Sequence, residues 1–251
     1  MDAATAITLF AFAAAVGCYG TIIGAGGGFI LVPGLVVLFD FAGVEAVGTS
    51  ALALAVIGLN GARVYDRDGL VDRPAAASIA LTAAPMALLF AWLVADRLDG
   101  DLFLVLLGLL LLTLAVLVIV GRARGAPESV REARRAPLVI GGTVIGAVAG
   151  TFAVGAGLLT VPLMTRVRGL QPHRAAATTA AAGVAGSVAG SVGHSLAGNP
   201  VWSKVPAVLF GALLGSSAGA RLAGRLSPAA ITNLLVAGLI AAAVPLLVEA
   251  L

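Results

Sequence analysis

The chain has 251 residues, of which 60% are hydrophobic and 11% are charged, and its formal net charge is +3. A soluble domain carries about a quarter charged residues, so this composition excludes an ordinary soluble protein and indicates a membrane protein. The net charge is small and the basic residues lie in loops, which argues against nucleic acid as a partner. The lipid bilayer is the first partner that we expect.

Ten apolar segments follow one another along the chain, separated by short loops that hold most of the charge. Most of them have about 18 residues or more, enough for a helix to cross a hydrocarbon core of roughly 30 Å. The segments cover residues 3–23, 27–39, 43–62, 75–95, 102–120, 137–153, 157–166, 175–193, 204–222 and 228–249. We therefore predict an all-α integral membrane protein with about eight spanning helices, or ten if the short segments are counted.

One motif occurs twice, a glycine cluster followed five residues later by a proline. The first copy is Gly24–Gly28 with Pro33, and the second is Gly155–Gly157 with Pro162. One constant shift along the chain, which takes Gly26 to Gly155, relates the copies without a gap, and we call it the repeat offset. A register that persists over about fifty residues indicates an internal duplication. The same offset holds for the further pairs Thr49 and Thr178, Ser50 and Thr179, and Gly69 and Gly198.

The duplication divides the chain into two transmembrane repeats, residues 1–121 and 137–251, joined by the basic linker 122–136. Residues 3–39 carry no charge, and as one helix they would measure about 55 Å, nearly twice the hydrocarbon core. We expect this stretch to break at its glycines, each of which costs about 1 kcal/mol in a helix. Each repeat then holds a broken or re-entrant first helix and three further spanning helices.

Arginine counts predict the side of each loop, because basic residues favour the cytoplasmic side of a membrane. Loop 63–73 and linker 122–136 are rich in arginine, so both should be cytoplasmic. Loop 166–174 has three arginines and should also be cytoplasmic, whereas its counterpart in the first repeat, between Asp40 and Glu45, has no basic residue. We therefore predict inverted repeats, with the N-terminus and the C-terminus outside.

A broken helix within a membrane leaves backbone N–H groups free at the positive end of a helix dipole, and such an end is suited to an anion. In transporters built from inverted repeats, these ends meet near the midplane. The alternative is that the glycines form a packing stripe in one continuous helix. The candidate substrate-binding residues of the two clusters are Gly26, Gly27, Gly28, Gly155, Ala156 and Gly157.

Polar side chains in the apolar segments are further candidates. Hydroxyl groups can donate to an anion without the burial of a cation, which points to Thr49 with Ser50 and to Thr178 with Thr179. The alternative for them is a hydrogen bond to a carbonyl one turn earlier. Asn60 lies within a predicted span and is either a ligand donor or a polar contact between helices.

No arrangement for catalysis or metal binding stands out. The predicted spans have no Asp, Glu, Lys or Arg at their centres, so a carboxylate proton relay is not visible. His173 and His194 are expected to be solvated loop histidines. Since no ATP-binding motif and no cluster of metal ligands occurs, we expect no enzyme activity, no metal and no cofactor.

Two glycine triplets have the small-xxx-small spacing that lets helices approach closely. We expect them to pack helices within the bundle, and the alternative is the face of a homodimer. The triplets are Gly142, Gly146 and Gly150, and Gly211, Gly215 and Gly219.

Further motifs accompany the glycine clusters and their prolines. They are Ala46-Val47-Gly48-Thr49-Ser50, Gly69-Leu70-Val71-Asp72, residues 170–179, Gly198-Asn199 and residues 219–226. In this order and duplication, the chain resembles the sulfite exporter TauE/SafE family over nearly its whole length. The second cluster departs from the family pattern, with Ala153 and Ala156 where glycine is usual.

The resemblance implies an inner-membrane carrier for small sulfur-containing anions such as sulfite, sulfonates or sulfoacetate. We expect a secondary transporter that works by alternating access, with one repeat rocking against the other. An anion channel and a non-transporting accessory protein are the alternatives. The direction of transport and the coupling ion, proton or sodium, are left open.

Overall fold

The structure, a computed structural model, describes residues 2–67, 69–93, 97–123, 135–223 and 225–249, and helices joined by short loops make up these ranges. Each helix overlaps one predicted segment, with ends that differ by up to five residues, and no strand occurs in these ranges. In chain order they are α1 (Ala3–Ile22), α2 (Gly28–Phe39), α3 (Gly43–Arg67), α4 (Arg73–Leu93), α5 (Gly100–Ala123), α6 (Arg135–Phe152), α7 (Gly157–Arg168), α8 (Pro172–Ala197), α9 (Val205–Ala223) and α10 (Pro228–Glu249).

Seven of the described helices are long and apolar enough to cross a membrane, namely α1, α3, α4, α5, α8, α9 and α10. Helices α2 and α6 are apolar but shorter, and α7 has 12 residues. The predicted all-α fold of a multi-pass membrane protein is thereby confirmed. The boundaries of the two repeats and the linker stay a prediction, since residues 124–134 lie outside the described ranges.

The predicted breaks lie between α1 and α2 and between α6 and α7. In the first break Gly24 and Gly26 have φ angles of +71° and +82°, which glycine adopts without strain. In the second break Gly155 has a φ of +91° and Ala153 a φ of +46°. The left-handed conformation costs a residue with a Cβ roughly 1–2 kcal/mol, so the second break is the more strained of the two.

Helix α2 runs back along α1. The ring centroid of Phe29, near the start of α2, lies 6.4 Å from that of Tyr19, near the end of α1. The ring of Phe39, at the end of α2, lies 5.5 Å from that of Phe12 in the middle of α1. As α2 advances from Phe29 to Phe39, its contacts move back along α1 from Tyr19 to Phe12. Helices α1 and α2 therefore form a re-entrant hairpin.

The second repeat contains the same hairpin. Leu163 of α7 lies against Gly141 of α6, where the first repeat has Gly34 of α2 against Phe12 of α1. The repeat offset takes one of these contacts onto the other. Each repeat therefore begins with a helix that turns back before α3 or α8 starts.

The glycine triplets join a helix of one repeat to a helix of the other. A Cβ at any of the six glycines would collide with the backbone of the neighbouring helix, so each contact needs glycine. The predicted packing role within the bundle is confirmed. The triplet in α6 lies against Ile79, Ala83 and Ala87 of α4, and the triplet in α9 lies against Phe10, Ala14 and Cys18 of α1.

The order of these contacts gives the directions of the helices. Residue numbers rise together along α1 and α9, and along α4 and α6, so each pair is parallel. Helices α3 and α8 are antiparallel, since Gly48 lies against Asn199 and Gly58 against Ser187. Because α3 and α8 are equivalent in the two repeats, their opposite directions favour the predicted inversion, which stays a prediction.

The re-entrant helix α2 is held within the main apolar core. Its side chains Phe29, Leu31 and Leu35 are fully buried, and they belong to the same cluster as Leu107 of α5 and Leu239 of α10. Van der Waals packing of this kind, together with close approach of backbones, is what joins helices in lipid. The packing fixes the level at which the first break lies.

Candidate functional site

A cavity of about 100 Å³ lies where the two breaks meet. Its walls are both breaks, the ends of α1 and α6, and the facing sides of α3 and α8, and glycine and alanine predominate. Most of the wall positions occur in pairs related by the repeat offset, so the cavity lies between equivalent parts of the two repeats. Examples of such pairs are Gly26 and Gly155, Ala51 and Ala180, and Gly61 and Gly190.

The two breaks touch each other through their backbones. A Cβ at Gly28 would overlap the carbonyl oxygen of Ala153, and a Cβ at Gly157 would overlap the carbonyl oxygen of Gly24. The repeat offset converts one contact into the other. Glycine is therefore needed at both positions for the crossing of the breaks, whatever ligand approaches them.

The predicted cluster residues divide into two sets. Four of them line the cavity: Gly26, Gly155, Ala156 and Gly157. Gly27 and Gly28 are buried beside it and are not part of its wall. The first break thus contributes fewer of these residues to the cavity than the second.

The first residues of α2 and α7 meet at this centre. Helix α2 begins at Gly28 and α7 at Gly157. The first four N–H groups of a helix have no partner within it, and the helix start carries roughly half a positive charge. None of the described residues that line the cavity is charged. The partial charges there come from the backbone, positive at the starts of α2 and α7 and negative at the ends of α1 and α6.

The first hydroxyl of each predicted pair holds a loop. Thr49 Oγ1 accepts a hydrogen bond of 3.1 Å from the backbone N–H of Val201, and Thr178 Oγ1 accepts one of 3.0 Å from the N–H of Asp72. Both threonines are buried, and neither lines the cavity. The two bonds are equivalent under the repeat offset, so the same anchor occurs in both halves of the chain.

The second hydroxyl of each pair has no hydrogen-bond partner. Ser50 Oγ and Thr179 Oγ1 are both buried without one. An unsatisfied buried hydroxyl costs roughly 1–3 kcal/mol, which a ligand or a water molecule can recover. Thr179 lines the cavity, and Ser50 does not.

Asn60 lies outside the wall of the cavity. Its Nδ2 donates to Ser217 Oγ at 3.3 Å and to Ser216 Oγ at 3.4 Å, both on α9. Of the two alternatives for this residue, the hydrogen bonds favour the polar contact between helices.

His194 is fully buried in α8, so the expectation of a solvated loop histidine was wrong for this residue. Its Nε2 lies 2.8 Å from the carbonyl oxygen of Gly150 in α6, and its Nδ1 lies 3.0 Å from Asn199 Nδ2. A carbonyl oxygen can only accept, so Nε2 carries a proton and donates it to the hydrogen bond with Gly150. The segment predicted from the sequence ends at residue 193, whereas the helix continues to Ala197 and is followed by Gly198 with φ +83°.

The side chain of His173 lies outside the described ones.

Charged side chains are paired at the ends of the bundle. Arg168 at the end of α7 donates from Nε to Asp72 Oδ2 at 3.1 Å, and its Nη2 contacts the same oxygen. Asp72 Oδ1 also accepts from the N–H of Ala75 at 3.1 Å and so caps α4. Lys204 has its ammonium 4.0 Å from the ring centroid of Phe41. No group of three or more His, Cys, Asp or Glu side chains suited to a metal occurs among the described residues.

Apart from Thr179, sequence reasoning missed the residues of α3 and α8 that line the cavity. Leu54 and Ile57 of α3 line it, and Gly183 and Gly186 stand at the equivalent positions of α8. The signal was present, because the repeat offset pairs two large side chains with two glycines. The sequence alone does not show that these sides of α3 and α8 face the breaks.

Comparisons with known proteins agree with this architecture. A curated relative, a probable membrane transporter protein of Methanocaldococcus jannaschii, is 24% identical over 159 residues, which cover 61% of this chain and 59% of the relative. The alignment therefore spans about three fifths of that protein's length. No solved structure gives a significant match. The sequence model of the family described as "Sulfite exporter TauE/SafE" matches residues 9–246, and the chain belongs to this family of membrane proteins.

Proposed function

We propose that this protein is a secondary transporter that carries a small sulfur-containing anion across the membrane by alternating access. The observation that carries the proposal is the cavity at the crossing of the two breaks, with the first residues of α7 and the free hydroxyl of Thr179 in or beside its wall. Membership of the family and the printed description of the archaeal relative as a probable transporter support it.

The chemistry of the cavity favours an anion. The first N–H groups of two helices and a hydroxyl provide hydrogen-bond donors, and no described carboxylate lines the wall. The wall consists mostly of glycine and alanine, so a compact oxyanion such as sulfite can approach the backbone N–H groups closely.

Two groups of helices are the moving parts of this mechanism. We define group one as α1, α3 and α9, and group two as α4, α6 and α8, which the repeat offset exchanges. Within each group the helices are joined closely, by the glycine triplets, by the bonds from Asn60 to α9 and by the bond from His194 to α6. Between the groups lie the cavity and the interface of α3 with α8. The proposed moving units are therefore mixtures of the two repeats, whereas the sequence suggests whole repeats.

A pair of engineered disulfides tests these units. A Cβ at Gly58 would lie 3.5 Å from Ser187 Oγ, which suits a disulfide between α3 and α8. In a Cys18→Ala background, oxidation of Gly58→Cys with Ser187→Cys should stop transport, and reduction should restore it. Oxidation of a matched pair within group two, Ala87→Cys with Gly190→Cys, whose Cβ atoms would lie 3.9 Å apart, should leave transport within about twofold of the reduced protein, since the units move as whole bodies. Full transport by the oxidised α3–α8 pair contradicts the proposed interface.

The proposed setting is the cell (inner) membrane, with both termini outside and the linker in the cytoplasm. The charge distribution supports it: Arg166, Arg168 and Asp72 lie at one end of the bundle, and Asp40, Glu45 and Lys204 lie at the other. In intact cells of a Cys18→Ala variant, a membrane-impermeant maleimide should label Asp99→Cys and leave Arg225→Cys unlabelled until the cells are opened. The reverse pattern overturns the orientation.

Transport by the purified protein in liposomes tests the function itself. Uptake of labelled sulfite should saturate with concentration and should be accelerated by unlabelled sulfite on the far side, because a carrier returns faster when loaded. Thiosulfate, sulfoacetate, taurine and sulfate serve as competitors that define the substrate. Uptake that stays linear and shows no exchange favours an anion channel, and the absence of uptake for every anion favours the accessory protein.

A further inference from the structure

The two halves of the cavity differ in one pair of equivalent side chains. Leu54 of α3 and Gly183 of α8 are related by the repeat offset, and both line the cavity. Leu54 reaches the first break, with its Cδ2 3.3 Å from the place that a Cβ at Gly26 would occupy. Its Cδ1 lies 2.7 Å from the corresponding place at Gly28. The start of α2 is therefore covered by a leucine side chain.

The second break has no such cover. The nearest atom to a Cβ at Gly183 would be the Cβ of Ala156, at 3.4 Å. Ala156 and Gly157 line the cavity, whereas their equivalents Gly27 and Gly28 do not. The cavity thus extends to the start of α7 and stops short of the start of α2.

The hydroxyl groups differ in the same direction. Ser50 and Thr179 are equivalent, and neither has a hydrogen-bond partner. Only Thr179 is part of the wall, and it is 2% exposed. A threonine hydroxyl changes direction by rotation to another staggered χ1 position, so Thr179 can donate to a molecule in the cavity. Ser50 lies on the side that Leu54 covers.

We infer that one anion binds per chain in this state, at the second break, in the space that Gly183 leaves open. The N–H groups at the start of α7 and the Thr179 hydroxyl are its donors, and Leu54 excludes a second anion from the start of α2. This inference rests on the proposed function and names the half of the site that is used. The apparent twofold symmetry of the cavity does not extend to its binding groups.

Titration of the full-length protein in detergent with sulfite tests this assignment. Thr179→Val keeps the shape of the side chain and removes the donor, so affinity should fall about tenfold or more, as expected for a hydrogen bond to a charged group. Ser50→Ala removes the equivalent hydroxyl and should change affinity less than about twofold. Thr143→Val, whose hydroxyl bonds back to Val139 on an exposed face of α6, controls for the loss of a threonine.

An exchange of the two positions provides a second test. Gly183→Leu should abolish sulfite binding, because it places on α8 the side chain that covers the first break. The double variant Leu54→Gly with Gly183→Leu should bind again, and its binding should now depend on Ser50 and no longer on Thr179. Sulfite binding to a folded double variant that still depends on Thr179 contradicts the inference. If the double variant does not fold, the comparison of Thr179→Val with Ser50→Ala decides.

The outcomes separate this inference from the proposed function. A wild-type protein that neither binds nor transports any of the anions contradicts both. A wild-type protein that transports sulfite, with Ser50→Ala as damaging as Thr179→Val or with neither variant damaging, contradicts the inference alone.

Discussion

The first and the second break are related by the repeat offset, and they differ in backbone strain and in what covers them. The first break has glycine at each left-handed position and lies under Leu54. The second has Ala153 in a left-handed conformation and faces Gly183. The strain and the open space are therefore in the same half. The crossing of the two backbones is thus the same under the repeat offset, whereas the side chains around each break differ.

The two breaks share the contact between their backbones. Substitutions that disrupt this contact should have the largest effect on folding. Gly28→Val and Gly157→Val each place a side chain where the opposite backbone lies. Both should prevent stable folding, because overpacking against backbone cannot relax as a flexible side chain would. The measurement is the yield of monodisperse protein in detergent and its midpoint of thermal unfolding.

Gly100→Ala is the matched control for this pair, since nothing lies within 4 Å of a Cβ at Gly100. Its unfolding midpoint should be unchanged or slightly raised. A well-folded Gly28→Val beside an unfolded Gly157→Val would break the equivalence of the two contacts.

The first repeat has no histidine equivalent to His194, so variants of this residue test a difference between the two repeats. His194→Ala leaves Asn199 and the Gly150 carbonyl without their partner, which should destabilise the protein by roughly 1–3 kcal/mol. Ser195→Ala loses only a bond back to Ser191 within α8. Its loss of stability should be only a few tenths of the loss caused by His194→Ala. Denaturation of the two variants in detergent measures the difference, and equal stabilities contradict a specific role for the bond between α8 and α6.

The smallest expected effects concern the two loop anchors. Thr49→Val and Thr178→Val each remove one equivalent hydrogen bond to a loop N–H. Such bonds within membranes are worth about 1 kcal/mol, so the two losses should be similar. A much larger loss for one variant in the same denaturation experiment would show that the repeats rely on their anchors unequally.

The sequence predicted the helices well because two simple constraints apply. Apolar length fixes the spans, and charge fixes the loops, so each of the ten predicted segments corresponds to a helix. The breaks were predictable because residues 3–39 are too long for one crossing and the glycine cluster is duplicated. The re-entrant course of α2 depends on which aromatic side chains meet, such as Phe12 and Phe39, and composition does not specify that.

The details of the site were harder to predict for a physical reason. Thr49 and Ser50 are neighbours, so their side chains point about 100° apart around the helix, and only the position of the α8–α9 loop decides which hydroxyl is satisfied. The same holds for Thr178 and Thr179. The roles of Leu54 and the burial of His194 depend on the rotation and the ends of α3 and α8, which are set by the whole bundle.

The most direct test of the central claim, an anion site at the crossing of the breaks, is to locate the anion. Crystals of the wild-type protein grown with selenite, a heavier analogue of sulfite, would show its position by anomalous scattering from selenium. We expect a single peak in the cavity, beside residues 153–157 and the Thr179 side chain. A peak elsewhere in the protein, with the cavity empty at a selenite concentration that inhibits sulfite transport, would contradict it.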